Sequence, residues 1–311
     1  MKALVTGGAG FIGSNLVQFL LQKQIKVCVL DDLSTGHCEN LEGLDAEFIK
    51  GDICNFSLVK EMLQGVDVVF HLAASVGRQK SLANPQRDAE VNFIGTTNIL
   101  EAARQQGIRK VVFSSSAAIF GELLTMPIAE DHPQNPDSPY GVSKLAAEKQ
   151  ALCYANLYEM NIICLRYFNV FGINQRFDAY GNVIPIFAHR LYNKEPLIIF
   201  GDGEQTRDFI NVKDVAMANY LAATVATESG VYNIGSGISI TINKLAKMMK
   251  EISGVDVPIK YAPRRPADVL HCLADIRKAN KNLNFYPQND FLTDLKNYYN
   301  WFITNQRNTR K

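Results

Sequence analysis

The sequence predicts an α/β protein built on a doubly wound parallel sheet, with a second, smaller lobe. Short β-branched runs near 2–6, 26–30, 46–49, 67–71, 110–114 and 162–167 alternate with longer amphipathic segments, the rhythm of strands and their covering helices. After about residue 168 the rhythm gives way to segments punctuated by Pro and Gly at 172–185, 201–207 and 263–268, which mark the second lobe. Strands at 208–211 and 231–234 are expected to return to the main sheet. The expected division is therefore 1–168, with returns near 208–234, against a lobe made of 169–207 and 235–311. Asn305 to Lys311 reads as a frayed polar tail.

Taken in order, the strand ends carry the informative residues. Ala3-Leu4-Val5 runs into Thr6-Gly7-Gly8-Ala9-Gly10-Phe11-Ile12-Gly13 and then a helical pattern. Glycines at 7, 10 and 13 let the chain turn tightly and approach a pyrophosphate, whose charge faces the helix N-terminus. The second strand ends in Asp31-Asp32, at the distance where a carboxylate accepts hydrogen bonds from an adenosine ribose. Such a carboxylate repels a 2′-phosphate, so a Rossmann-type site for NAD rather than NADP is expected. Asp52-Ile53, His71-Leu72-Ala73-Ala74 and Ser114-Ser115-Ser116 close the next three strands. Right-handed crossovers bring all these ends to one edge.

Composition narrows the partners. Lys plus Arg number 32 against 31 Asp plus Glu, so no global field draws the chain to nucleic acid or an anionic membrane. An anionic ligand must be met by local cations. The six cysteines (28, 38, 54, 153, 164 and 272) form no CxxC pair and read as reduced structural thiols. Five scattered histidines give no ligand spacing, so no metal is expected. The N-terminus enters the first strand at once and no apolar run is long enough to span a membrane, so a cytoplasmic protein is expected.

Tyr140-Gly-Val-Ser-Lys144 opens a helical segment, and the spacing of four puts both side chains on one face. An ammonium beside a phenol favours the phenolate, as does the positive nicotinamide ring, so Tyr140 is expected to act as a base far below its ordinary pKa. Ser116, at the end of the fifth strand, can reach a substrate held against Tyr140.

Together the Gly7/Gly10/Gly13 turn, Asp31, Asp52-Ile53, His71 to Ala74, Asn92, Ser114 to Ser116 and Tyr140/Lys144 resemble the extended short-chain dehydrogenase/reductase family over nearly the whole chain. The second lobe resembles that of its nucleotide-sugar (UDP-hexose) 4-epimerases, through Arg166-Tyr-Phe168-Asn169-Val-Phe-Gly172, Asn182-Val183-Ile-Pro185, Phe200-Gly-Asp-Gly-Glu-Gln-Thr-Arg207-Asp208-Phe209 and Arg264-Arg265-Pro-Ala267-Asp268. The resemblance implies tightly bound NAD held by Gly7, Gly10, Phe11, Ile12, Gly13, Asp31, Asp32, Asp52, Ile53, Leu72, Ala73, Ala74, Asn92, Ser114, Tyr140, Lys144 and Phe168. It implies a substrate diphosphate held by Asn169, Arg207 and Arg265, with Val183 and Phe200 along the uracil. Arginine forks suit phosphate oxygens. A homodimer through helices near 88–106 and 140–158 is implied as well. Phe120 stands where the family commonly has tyrosine, and Ala267 where it usually has glycine.

Dehydratases of the family place Asp-Glu after the catalytic hydroxyl residue and decarboxylases keep a glutamate there, whereas this chain has Ala117-Ala118. What remains is oxidation and re-reduction at C4 with Ser116, Tyr140 and Lys144 as the catalytic set. A dehydrogenase or reductase of the same fold, or an NAD-sensing binding protein, are the other readings. Cys272 falls at the position that in the resembling epimerases lies beside the C2 substituent, and a small residue there implies acceptance of UDP-N-acetylglucosamine and UDP-N-acetylgalactosamine alongside the glucose/galactose pair. Cys272 outside the pocket is the other reading. Arg78 stands for a uronate carboxylate, a phosphate or plain solvent, which keeps UDP-glucuronate 4-epimerisation open.

Overall fold

The computed structural model describes residues 1–308 apart from 122, 179–180, 265–268 and 289. The first half runs β1 (Lys2–Thr6), α1 (Phe11–Gln22), β2 (Lys26–Asp31), β3 (Ala46–Lys50), α2 (Phe56–Met62) and β4 (Val68–His71). It continues through α3 (Arg78–Ala83), α4 (Pro85–Ala89), a π-helical turn (Glu90–Gly95), α5 (Thr96–Gln105), β5 (Lys110–Ser116), α6 (Pro139–Tyr158) and β6 (Asn161–Tyr167). Then follow β7 (Asn169–Phe171), α7 (Val183–Tyr192), β8 (Leu197–Phe200), β9 (Thr206–Asn211), α8 (Val212–Thr224) and β10 (Gly230–Ile234). The chain ends with β11 (Ser239–Thr241), α9 (Ile242–Ser253), β12 (Ile259–Ala262), α10 (Arg277–Leu283) and α11 (Phe291–Asn308).

Seven parallel strands in the order β10-β6-β5-β4-β1-β2-β3 form the central sheet. Residues of one strand alternate between faces, so Ala3 and Val5 pack in one core with Leu16, Val17 and Leu20 of α1, and Leu4 packs in another with Ile99 of α5 and Ala147 of α6. Both faces are covered, which is why the strands read as near-continuous apolar runs. Beyond β6 a third core joins Phe171, Phe187, Leu197, Ile199, Leu245 and Phe302 in the smaller lobe.

Three expectations about boundaries are corrected. Strand 208–211 does not rejoin the main sheet: β9 lies between β7 and β11 in a separate three-stranded sheet, and only β10 returns. With Phe168 alone separating β6 from β7, the chain leaves the sheet there and Asn169 pairs with Phe209. The return is made by α8, which packs on α1. Alternation marks a strand without naming its sheet. Next, β5 extends to Ser116, so the catalytic candidate is itself a strand residue. Finally, the expected polar tail at Asn305 begins inside α11, which Leu295, Tyr298 and Phe302 anchor in the lobe core and which runs on to Asn308. No described helix is long and apolar enough to cross a membrane.

Candidate active site

At the end of β1 the backbone itself shapes a cradle. Gly7 adopts φ +70°, and a Cβ there would stand 2.7 Å from the Ala73 nitrogen; one on Gly13 would stand 2.0 Å from the Gly7 carbonyl oxygen. Glycine at both positions lets turn, helix and β4 end come together. Helix α1 starts at Gly10 with no side-chain cap and no acidic residue in its first turn. Amides of that turn are left for an anion, as a pyrophosphate site requires. Beside it, Asp31 accepts the amides of Ala9 (3.0 Å) and Leu33 (2.8 Å), while burial pushes its carboxyl up. Asp32 holds Ser34 through its amide and hydroxyl, at 2.8 and 2.6 Å. Asp52 is tied to the Cys54 amide (2.8 Å) and to Arg87 (2.6 Å). Burial raises the Asp52 carboxyl, but those two donors outweigh it and leave it below its ordinary value. Ile53 is buried and its carbonyl accepts the Asn98 side-chain amide at 3.0 Å. These groups fit NAD.

Behind Leu72, Ala73 and Ala74 a buried relay fixes the β4 end. The Ala73 amide donates to Thr6 Oγ1 (3.2 Å), which meets His71 Nδ1 at 2.7 Å; His71 Nε2 meets Thr96 Oγ1 at 2.9 Å, and that hydroxyl donates to the Asn92 carbonyl at 2.6 Å. Because Thr96 donates onward, Nε2 carries the His71 proton and Nδ1 accepts from Thr6. Burial, then the Lys144 charge, pushes the His71 pKa down to about 3, so the ring is neutral. Asn92 is engaged by protein rather than open to the cleft: its Oδ1 accepts the Ser75 amide (2.8 Å), and its Nδ2 donates to the Ser75 carbonyl (2.9 Å) and Ser143 Oγ (3.0 Å). It shapes the loop after β4.

The sequence places Tyr140 in the first turn of α6 because Ser138 caps that helix, accepting the Gly141 amide, and Pro139 starts it. Ser116 accepts the Ala118 amide (3.1 Å) and shares a hydrogen bond with Tyr140. Lys144 is 2% exposed, with its ammonium 4.6 Å from the Phe113 ring centre. Burial pulls its pKa down to about 8, against the opposing pull of Asp88. The sequence expectation counted two positive charges, the Lys144 ammonium and the nicotinamide ring. In the protein alone burial raises the Tyr140 phenol, with Ser116 lowering it and Asp88 raising it. A phenolate therefore needs a further positive charge in the cleft. Ser114, two residues back, is buried on β5.

A buried ion pair fixes these parts in register. Arg166, 1% exposed, grips Glu148, 0% exposed, through Nε (3.0 Å) and Nη2 (2.6 Å), and Ser115 donates to the same carboxylate at 2.6 Å. The arginine also stacks over Phe120, 5.1 Å from the ring centre. Phe120 is wholly buried, with that guanidinium over its ring and the His132 ring meeting it at nearly a right angle.

On the other side of the cleft, Asn169 donates to the Asp208 carbonyl (3.1 Å). Arg207 donates to the carbonyls of Thr206 (2.8 Å) and Val269 (2.7 Å). Asp208 points the opposite way into the core, accepting the amides of Ser236, Gly237 and Ala274 and the Ser236 hydroxyl, so the two do not pair on the surface. Val183 begins α7, and Phe200 lines a shallow pocket with Gln205, Arg264 and Val269. Cys272 is buried with Phe120, Ile128, Phe168 and Ala274, and burial pushes its thiol up to about 11 while Asn169 shares a hydrogen bond with it. Arg78 is held by Asp137 at 2.6 Å. Arg265 and Ala267 lie outside the described residues. Asp88, Ser143, Glu148 and Arg166 were not foreseen as parts of the site; Glu148 carried a signal, lying four residues beyond Lys144 on the same helical face.

A parallel sheet with an uncapped helix N-terminus at one edge, a ribose-distance carboxylate and a Ser/Tyr/Lys set defines a dinucleotide-dependent enzyme of the extended short-chain dehydrogenase/reductase type. The chain belongs to the NAD dependent epimerase/dehydratase family, whose model matches residues 3–235. It is 40% identical to a putative UDP-glucose 4-epimerase of Methanocaldococcus jannaschii over 306 residues, covering 98% of this chain and 99% of the relative. Among solved structures it resembles the UDP-N-acetylglucosamine 4-epimerase of Methanobrevibacter ruminantium in complex with UDP-N-acetylmuramic acid (38% identity, 98% of each chain, TM-score 0.94). It also resembles the UDP-glucose 4-epimerase of Thermotoga maritima with UDP-glucose (37% identity, 100% of each chain, TM-score 0.93). NAD is the cofactor of the family.

Proposed function

We propose that this chain is an isomerase that interconverts the 4-epimers of a UDP-hexose by transient oxidation at C4, and that N-acetylated hexoses are among its substrates. The observation that carries the reading is the pairing of the Ser116 and Tyr140 hydroxyls, with Ala117-Ala118 next to them. The pair can remove a hydroxyl proton, whereas alanine can neither protonate a leaving hydroxyl nor take a proton from C5. Bound NAD would supply the hydride acceptor and donor. Tyr140 accepts the proton of the 4-hydroxyl, Ser116 orients that hydroxyl, and the Lys144 ammonium favours the phenolate. Re-protonation at the same oxygen after the keto sugar has turned completes the exchange without net redox. The smaller lobe, with β7, β9 and β11 in its sheet, would carry the nucleotide sugar. Phe200 and Val183 would flank the base, with Asn169, Arg207 and Arg265 meeting the diphosphate.

Support for acetylated substrates comes from Cys272, whose small side chain packs among Phe120 and Phe168 beside Asn169. Similarity to a UDP-N-acetylglucosamine 4-epimerase points the same way. A homodimer through the faces of α5 and α6 is part of the proposal, since Val142 and Leu157 of α6 are exposed apolar residues. The test is a panel of UDP-hexoses and UDP-glucuronate given to the protein as purified. Expected are bound NAD, 4-epimer formation from the acetylated and plain hexoses, and no free NADH. Stoichiometric NADH release would make it a dehydrogenase, NAD binding without turnover a sensor, and action on UDP-glucuronate alone a uronate epimerase.

A further inference from the structure

Two buried carboxylates flank Lys144, and they are matched differently. Glu148 is neutralised by the two-point grip of Arg166. Asp88, on α4 and 1% exposed, forms no ion pair with a described residue; it accepts a hydrogen bond from Ser143 Oγ at 2.6 Å and one from Asn92 Nδ2 at 3.2 Å. Ser143 lies between Tyr140 and Lys144 in the chain, with its Oγ 3.1 Å from the Tyr140 carbonyl oxygen. A buried carboxylate held by one hydroxyl and one amide retains most of the cost of its burial unless a cation lies nearby. The candidate cation is Lys144.

We propose that Asp88 is a positioning residue for the catalytic pair: bonded to Ser143, it sets a buried negative charge against the turn of α6 that carries Tyr140 and Lys144, and it fixes that turn. The inference rests on the reading of Tyr140 as the base. Both halves of the pair feel this charge, which raises the pKa of Lys144 and of Tyr140 alike. Asp88 therefore sets where the pair works on the pH scale, and removing its charge moves both groups toward acid.

Other charges around the pair are matched or neutral. On α6 Glu148 is taken by Arg166, and on β6 the Cys164 thiol is kept protonated by burial. From β4 comes neutral His71. On α3, Arg78 and Lys80 are exposed and paired with Asp137 and Asp178. Arg87 and Glu90 pair with each other, and Arg87 turns to Asp52. Glu101 and Arg104 of α5 pair with each other. This leaves Asp88 as the unmatched charge among the described residues facing Lys144.

The test uses the NAD-bound enzyme and two readouts: the pH profile of kcat, and the tyrosinate absorbance that the parent shows and Tyr140→Phe lacks. In Asp88→Asn both midpoints should move toward acid by about one pH unit, the lower end of what a neighbouring charge does to a buried group. Asp88→Glu should restore them, and Ser143→Ala should lower kcat several-fold without moving either. Coincident midpoints in parent and Asp88→Asn overturn the proposal. Where Asp88→Asn does not fold, Asp88→Ser repeats the measurement; failure of both neutral variants to fold beside a folded Asp88→Glu assigns the carboxylate to stability and also overturns it. A parent that epimerises nothing defeats the reading of function while the absorbance midpoints still decide the role of Asp88.

Discussion

The two walls of the cleft are prepared in opposite ways. On the cofactor side the binding surface is backbone: uncapped amides at the start of α1, with glycines allowing Gly7 and Gly13 to lie against β4 and each other. On the sugar-nucleotide side the candidate groups are side chains that already hold protein partners. Arg207 bonds two carbonyls, Asn169 another, and Arg78 a carboxylate. NAD thus meets a surface whose donors are open, while a UDP-sugar must share or replace existing bonds. The contrast teaches that affinity on the first side is set by shape and on the second by exchange of hydrogen bonds. Tight retention of a cofactor and turnover of a substrate call for that difference.

The largest effect should come where the walls meet. Tyr140→Phe removes the proton acceptor without altering the glycine cradle, so turnover should fall by roughly three to four orders of magnitude, about 4 to 5.5 kcal/mol in the barrier. Bound NAD should be unchanged in the purified variant. Turnover within about tenfold of the parent, measured as 4-epimer formation, would break the assignment.

Gly13→Ala tests the backbone wall alone. The added methyl would stand 2.0 Å from the Gly7 carbonyl oxygen, so turn and helix must separate. Strain of this kind costs about 1 to 3 kcal/mol and opens the anion site. The protein should purify without NAD and melt at lower temperature. Retention of full NAD by absorbance would show that the cradle tolerates more than its geometry allows.

Arg207→Ala probes the side-chain wall. Its loss should weaken UDP binding by about 1.5 to 3 kcal/mol, the scale of a charge-assisted hydrogen bond, and leave NAD in place. The guanidinium already donates to the Thr206 and Val269 carbonyls, so the lower end of that range is expected. Calorimetry with UDP reads it, and unchanged affinity would move the diphosphate elsewhere.

Much of the first wall was legible in the sequence because its chemistry follows chain order. A strand, a glycine turn and a helix are consecutive, and parallel topology then collects Asp31, Asp52, His71 and Ser116 at one edge. Tyr140 and Lys144 were legible through helical spacing. The buried carboxylates behind them and their hydroxyl partners were not. Asp88 meets Ser143 across 55 residues and Ser115 meets Glu148 across 33, and neither distance leaves a periodic trace. The assignment of β9 failed for the same reason, since its alternation suits either sheet. The burial that raises the phenol in the protein alone was not legible, because the spacing of Tyr140 and Lys144 shows a shared helical face and not how deeply that face is covered.

Substrate choice within the second wall should turn on Cys272, through an effect that falls on one class of substrate and spares the other. Its thiol is buried among Phe120, Ile128, Phe168 and Ala274, in hydrogen-bond contact with Asn169. A tyrosine there cannot stay within that cluster without displacing a ring, so its bulk would project along the Asn169 side. If the C2 substituent of the sugar lies there, Cys272→Tyr should exclude an N-acetyl group while sparing a hydroxyl. The discrimination expected from such steric exclusion is about 10- to 200-fold in kcat/KM, and it should fall on the UDP-N-acetylglucosamine/UDP-N-acetylgalactosamine pair. Cys272→Ala, which only enlarges the space, should leave both pairs within a few-fold of the parent. Equal loss of acetylated and plain substrates in Cys272→Tyr, or loss of neither, would place this residue outside substrate selection. The loop around Arg78, already engaged by Asp137, would then be the next determinant to test against UDP-glucuronate.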